Sequence, residues 1–98
     1  MDWMTFVKRE NVRKAEEKLR ADFSLASKQA ISVRDAKSLE IDKDGSFFLI
    51  TGTEEGIARC KELIKDFTEN LDQKYFDIAK KKLQEEADKA AEGFGGLF

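Results

Sequence analysis

The chain of 98 residues contains no histidine and only one cysteine, which removes the commonest catalytic arrangements. Without histidine, acid-base catalysis would depend on carboxylates, lysines, Tyr75 or Cys60, and none of these lies in a catalytic motif. Cys60 falls on the apolar stripe of a predicted helix and has no histidine to activate it, so we interpret it as a core residue. A single cysteine also excludes an internal disulfide. We therefore expect no catalytic residues and no cofactors, with an enzyme that uses carboxylates or lysines as the alternative.

Long apolar segments are also missing. The longest apolar run, Phe47 to Ile50, is far shorter than the roughly 20 residues of a membrane-spanning helix. The first residues, Met1 to Met4, lack the basic start and apolar stretch of a secretory signal. We therefore expect a cytoplasmic protein that does not bind membranes.

The 18 basic and 20 acidic residues give a net charge of -2, unlike the strongly basic balance of a dedicated nucleic-acid binder.

Apolar residues at helical spacing predict three helices, near residues 9-24, 54-70 and 72-92. Thr53 is expected to cap the second helix, Asn70 or Asp72 the third, and Gly93 to end the third. The three apolar stripes are Val12, Ala15, Leu19 and Phe23; Ile57, Cys60, Ile64, Phe67 and Leu71; and Phe76, Ala79, Leu83, Ala87, Ala90 and Phe94.

Alternating apolar and polar residues predict strands at residues 30-33 and 39-41, and the aromatic segment 47-51 predicts the strongest strand. The sequence Asp42-Lys43-Asp44-Gly45 is typical of a turn, so a hairpin is expected between residues 38-42 and 46-51. Residues 2-7 are interpreted as a short helical turn that forms an apolar lid.

These elements predict an α+β fold, a two-layer sandwich with a small antiparallel sheet covered by helices on one face. We expect a single domain in residues 1-92 and a flexible apolar tail in residues 93-98. If the other face of the sheet is open, it offers a surface to a partner, and self-association is its simplest use.

Two polar segments suggest ligand sites, but each lacks an essential residue. Glu40, Asp42 and Asp44 resemble the first half of a calcium loop, yet Thr51 stands where the closing glutamate belongs. The segment 52-56 resembles a phosphate-binding loop, yet it lacks the lysine and carries two acids. We therefore expect no metal site and no phosphate site.

Residues 39-67 resemble the second half of a KH domain, with a strand, a turn, a strand ending in Gly52-Thr53, and a helix. KH domains bind single-stranded nucleic acid through a GXXG loop, and residues 1-38 contain no glycine. The resemblance implies KH-like nucleic-acid binding as an alternative function, with Arg9, Arg13, Lys14 and Thr53 as the candidate residues. The overall pattern is also similar to small archaeal two-layer α/β proteins, a class that implies a fold and no activity.

The C-terminal sequence Glu92-Gly93-Phe94-Gly95-Gly96-Leu97-Phe98 is similar to the tails of archaeal and eukaryotic ribosomal stalk proteins. Those tails dock apolar side chains on translation factors, which implies Phe94, Leu97 and Phe98 as partner-binding residues. The alternative is a tail that folds back on the domain or frays.

Taken together, the sequence favours a non-enzymatic binding module whose partner is another protein or a second copy of the chain. A translation-related factor is one candidate partner. RNA is the alternative partner.

Overall fold

The computed structural model describes the backbone of residues 1–97 and the side chains of residues 1–86. It contains an antiparallel sheet and three α-helices, which confirms the α+β class. Short 3-10 turns at Ala26–Lys28 and Ala36–Leu39 flank the second strand. The elements, in chain order, are β1 (Asp2–Lys8), α1 (Arg9–Ala21), β2 (Ala30–Asp35), β3 (Gly45–Thr51), α2 (Glu54–Ile64), β4 (Thr68–Glu69) and α3 (Gln73–Leu97).

The sheet has the strand order β2-β3-β1-β4, and every pair of neighbours is antiparallel. β3 lies between β1 and β2, and β1 lies between β3 and β4, so each of the two β-α-β units is split by a strand of the other. This chain order is that of the ferredoxin-like fold. Among the described strands, β2 therefore has a neighbour on one side only.

Helices cover both faces of the sheet. Side chains alternate between the two faces along each strand, and the sheet carries apolar side chains on both faces. Val7, Phe48 and Ile50 point to α1 and α2, where they join one buried cluster with Leu19 and Ile57. The intervening strand residues point to α3 and form a second buried cluster, which contains Phe6, Phe47, Leu39, Ile41 and Ala79. The predicted cover of the sheet by helices is thus confirmed, but α3 lies on the other face, which the prediction left without helices.

Residues 2-7 form the central strand β1, and the prediction of a helical turn there is wrong. The spacing of Trp3, Phe6 and Val7 fits a helix, but both faces of this strand are buried. Phe6 and Val7 therefore contact different layers, α3 and the α1–α2 layer respectively. Strands that are buried on both faces lose the simple alternation by which a strand is recognised.

The predicted strand at 39-41 and its hairpin are also wrong. Residues Ala36–Leu39 form a 3-10 turn, and Glu40 follows in the left-handed conformation with φ 60° and ψ 30°. The strand that pairs with β3 on this side is β2. Gly45 belongs to β3 and has no positive φ. It is needed because a Cβ there would collide with the backbone oxygen of Val7 and the ring of Phe6.

The helices differ from the prediction mainly at their ends. α1 ends at Ala21, so Phe23 leaves the apolar stripe and is 78% exposed. α2 ends at Ile64, because the chain turns to pair β4 with β1. Asp72 caps α3 as predicted, accepting a hydrogen bond from the Lys74 amide. α3 is bounded at Leu97, beyond the predicted end at Gly93.

No helix in the described part of the chain combines the length and the apolar character that a membrane crossing requires.

Candidate functional site

The edge strand β2 is the most accessible hydrogen-bonding surface of the sheet. β2 has six residues and, among the described strands, pairs with β3 alone, in the register that places Ile31 opposite Ile50 and Val33 opposite Phe48. An unpaired edge presents a row of backbone N–H and C=O groups that can template another strand. The register and two further hydrogen bonds identify which groups of β2 point outward.

The pairing of β1 with β3 sets the direction of the β3 backbone groups. The Gly52 amide donates to the Met1 carbonyl at 2.9 Å, and the Arg9 amide donates to the Asp44 carbonyl at 3.2 Å. Both pairs continue the β1–β3 register, so the even-numbered residues of β3 bond to β1. The odd-numbered residues of β3 therefore bond to β2.

The same alternation then applies to β2. Its residues opposite Thr51, Leu49 and Phe47 are the even-numbered ones, whose backbone groups bond to β3. The amides and carbonyls of Ile31, Val33 and Asp35 consequently point away from the sheet.

Two of these outward carbonyls have partners within the chain, and the outward amides have none among the hydrogen bonds of the described residues. The Arg34 guanidinium donates to the Val33 carbonyl at 3.2 Å, and the Ser38 hydroxyl donates to the Asp35 carbonyl at 2.7 Å. A carbonyl oxygen has two lone pairs and can accept a second bond. Within the described part of the chain, the edge of β2 therefore offers three amide donors without a partner and three carbonyl acceptors.

A shallow cavity with a mixed polar and apolar lining lies beside this edge on the α1 side. It has a volume of about 180 Å³ and is lined by Leu19 and Ile31 together with the polar residues Glu16, Arg20, Ser27 and Gln29. Ile31 and Val33 are half-buried side chains of the strand that face this layer. A strand added at the edge would place its own side chains beside them on the same face of the sheet.

The first half of β2 lacks the features that usually protect a free edge. Natural edge strands carry lysine, proline, bulges or inward-pointing charges that oppose pairing with another chain. The chain has no proline, and the segment 30-33 has no charged residue. Charge begins only at Arg34 and Asp35. The unprotected part of the edge is therefore Ile31-Ser32-Val33.

The opposite edge of the sheet is less suited to a partner. β4 has two residues, which pair with Phe6 and Val7, and β1 continues beyond them as Asp2 to Thr5. By the alternation derived above, only Asp2 and Met4 point backbone groups outward in that stretch. Together with Thr68 of β4 they are spread over two strands, so this edge lacks the continuous row of groups found along β2.

Thr53 has a structural role at the start of α2. Its hydroxyl accepts a hydrogen bond from the Gly56 amide at 3.0 Å, which confirms the predicted cap. The Thr53 amide in turn donates to the Gln29 side-chain oxygen at 3.0 Å. A Cβ at Gly52 or Gly56 would collide with the Gln29 side chain, so these glycines leave room for it. No local sequence pattern indicates this role of Gln29, because its partner is 24 residues away.

The structure does not bring the four candidate nucleic-acid-binding residues together. Arg9 follows the end of β1 that pairs with Gly45, whereas Thr53 follows the other end of β3, about 20 Å away at the usual rise per residue. Arg9 pairs with Asp44 at 2.6 Å and Arg13 with Glu17 at 3.3 Å. Lys14 is exposed on α1.

The strand, turn and helix that suggested a KH domain are found in part. The strand at 47-51, Gly52-Thr53 and the helix are present, and the first strand of the pair is absent.

One ionic cluster joins the loop after α1 to α2. The hydroxyl of Ser24 and the guanidinium of Arg59 donate hydrogen bonds to Asp22, and they lower the pKa of its carboxyl. Asp22 likewise raises the pKa of Arg59. Cys60 is buried, as predicted, and burial and the Asp22 charge raise its pKa. Each shift has a structural cause, and Cys60 behaves as a core residue.

Two further features concern metal binding and the predicted partner-binding residues. Within the described residues, no three cysteine or carboxylate side chains lie close enough to hold a metal ion. Phe94, Leu97 and Phe98, the predicted partner-binding residues, lie outside the part of the chain whose side chains are described.

Comparison of the chain with protein-family models, with curated proteins and with solved structures found no match. The candidate function therefore depends on the geometry of the domain itself.

Proposed function

We propose that the protein is a non-enzymatic binding module that accepts an extended segment of another polypeptide chain at the edge of β2. The observation that carries this proposal is the set of outward amides of Ile31, Val33 and Asp35, which have no partner among the described hydrogen bonds. Strand addition uses such groups for affinity and the neighbouring side-chain positions for specificity. The cavity beside Ile31 is one such position.

The sequence favours a protein-binding module, with an open face of the sheet as its surface. We propose instead that binding occurs at a strand edge. α3 covers that face with Phe76, Ala79 and Leu83. KH-like RNA binding remains the alternative proposal, supported by the basic residues of α1. Docking of a translation-related factor through Phe94, Leu97 and Phe98 is a separate prediction that truncation after residue 92 would test.

An NMR titration tests the proposal directly. The probes are synthetic eight-residue peptides that alternate valine or isoleucine with polar residues, added to ¹⁵N-labelled protein. We expect at least one peptide to shift the amides of Ile31, Val33 and Asp35 more than those of Ser32 and Arg34, whose amides already bond to β3. Shifts centred elsewhere, or no shifts with any peptide, would contradict the proposal.

A pair of variants at one position supplies the control. Val33→Pro removes an outward amide without removing a bond to β3, and edge strands tolerate proline at such positions. Val33→Thr keeps the amide and a branched side chain of similar shape. Binding should be lost in Val33→Pro and retained in Val33→Thr.

A mixed single-stranded RNA pool, added at low and moderate salt, tests the alternative. Shifts on α1 that weaken steeply with salt would favour KH-like binding.

A further inference from the structure

The sequence of β2 is complementary to itself in one antiparallel register. We infer that the strand which occupies the β2 edge is β2 of a second copy of this chain, paired about a twofold axis at Ser32. This inference rests on the proposed function and names its partner. Two physical conditions, one on side-chain faces and one on hydrogen bonds, restrict the registers that a second copy can adopt.

The first condition keeps the helices of both copies on consistent faces. A twofold axis perpendicular to the sheet places α1 and α2 of both copies on the same side. Opposed residues must then share a face, and side chains alternate along the strand, so odd-numbered residues oppose odd-numbered ones. One residue of β2 therefore lies next to the axis and opposes its own copy; the axis cannot lie level with the midpoint between two consecutive residues.

The second condition is that opposed backbone groups can bond. The outward groups belong to the odd-numbered residues Ile31, Val33 and Asp35. An axis at Ser32 places Ile31 opposite Val33 of the second copy, as a pair that exchanges two backbone hydrogen bonds, and the symmetric pair exchanges two more. Both conditions are thus met in this register.

Side chains favour this register over the next one. With the axis at Ser32, branched apolar side chains oppose each other twice on the α1 side, and such cross-strand pairs stabilise sheets. On the α3 side, Arg34 faces the small side chain of Ala30. With the axis at Val33, the carboxylate of Asp35 would instead oppose Ile31. The side chains therefore favour the axis at Ser32 over the axis at Val33.

The cavity beside the edge fits the same occupant. Val33 of the second copy would lie over Ile31, next to the cavity that Leu19 and Ile31 line. Both Ile31 and Val33 are half-buried in one copy and would be covered in the pair. The result would be an eight-stranded antiparallel sheet with the α1 helices of both copies on one face.

A short edge implies a weak dimer. A six-residue strand buries less surface than the about 1,200 Å² of a stable complex, so association is expected to be concentration-dependent. A cross-link that traps the pair is therefore a more decisive test than mass alone.

Cysteine trapping tests the register at single-residue resolution. Cys60 is first replaced by alanine, so that any disulfide comes from the introduced residue. At the axis, Ser32 opposes itself in a pair without backbone hydrogen bonds, whose Cα atoms lie about 4.5 Å apart, within disulfide reach. We expect Ser32→Cys to form a covalent dimer under mild oxidation at concentrations of roughly 0.1 to 1 mM.

Ala30→Cys is the matched control. It lies on the same face of the same strand, but the two copies of residue 30 would be about 13 Å apart in this register. Cross-linking should be several-fold faster for Ser32→Cys than for Ala30→Cys, and Val33→Pro should reduce it to the control rate. Circular dichroism checks that each variant is folded.

The outcomes separate the inference from the proposed function. Equal cross-linking of the two variants, or faster cross-linking through Val33→Cys, would overturn the inferred pairing. If peptides still shift the β2 amides in that case, the edge accepts a strand from another protein and the proposed function stands. If neither peptides nor a second copy bind the edge, both fail.

Discussion

The side chain of Gln29 joins two parts of the fold that are distant in sequence, and replacement of Gly56 by alanine tests this contact. An added Cβ at residue 56 would collide with the Gln29 carboxamide. The carboxamide would have to move, breaking its bonds to the Thr53 amide and the Leu25 carbonyl, each 3.0 Å long. The same substitution improves the helix propensity of α2.

The magnitude follows from these opposing effects. Each lost hydrogen bond costs about 0.5–1.5 kcal/mol, and replacing glycine by alanine in a helix gains about 0.5–1 kcal/mol. Gly56→Ala should therefore destabilise the native protein by about 1 kcal/mol. In a Gln29→Ala background there is no carboxamide to displace, so the same change should stabilise by about 0.5–1 kcal/mol. The sign of the effect thus depends on Gln29.

Urea unfolding of the four proteins, followed by circular dichroism, measures this cycle. Ala58→Gly provides the control, because residue 58 is exposed on the same helix. This substitution should lower the free energy of unfolding by about 1 kcal/mol in both backgrounds. An equal effect of Gly56→Ala in both backgrounds would refute the assigned role of Gln29.

Three further predictions concern the core and the ionic cluster. The Phe47 and Phe76 rings meet edge to face at 5.8 Å, so a double-mutant cycle to leucine should give a coupling of about 0.5–1.5 kcal/mol; strict additivity would mean that α3 does not pack here. Because Asp22 has a lowered pKa, the stability it contributes is present above pH 3.8 and is lost as the pH falls further. Asp22→Asn should lower the urea midpoint at pH 7, and this effect should become smaller as the pH falls below 3.8; a pH-independent effect would be evidence against the contact with Arg59. The buried Cys60 thiol should react with a disulfide reagent only after unfolding, and equal rates in native and unfolded protein would place it outside the core.

The sequence predicts those elements that have a single clear pattern. α1 and α2 follow from regular apolar spacing, and β3 follows from a run of aromatic and β-branched residues. The cap Thr53, and Asp72 as one of two candidate caps, follow from residue type. β1 was missed because it is buried on both faces, which removes the alternation of a half-buried strand. Residues 39-41 alternate like a strand, but a left-handed Glu40 reverses the chain there. Local patterns do not report such tertiary effects.

The candidate site was beyond sequence prediction for a different reason. β2 was recognised as a strand, but its position at the edge depends on which strands pair across the sheet. The covering of the second face by α3 likewise depends on tertiary packing. The direction of the Ile31 and Val33 amides follows only from the register of three strands, and no local pattern encodes it.

Amide hydrogen exchange along β2, recorded by NMR at low and at high protein concentration, tests the central claim most directly. In dilute protein we expect fast exchange at Ile31, Val33 and Asp35 and slow exchange at Ser32 and Arg34, because only the latter amides bond to β3. At high concentration the amides of Ile31 and Val33 should become protected as the second copy pairs. Uniform protection along the strand in dilute protein, or fast exchange of Ile31 and Val33 at every concentration and with every peptide, would contradict the account.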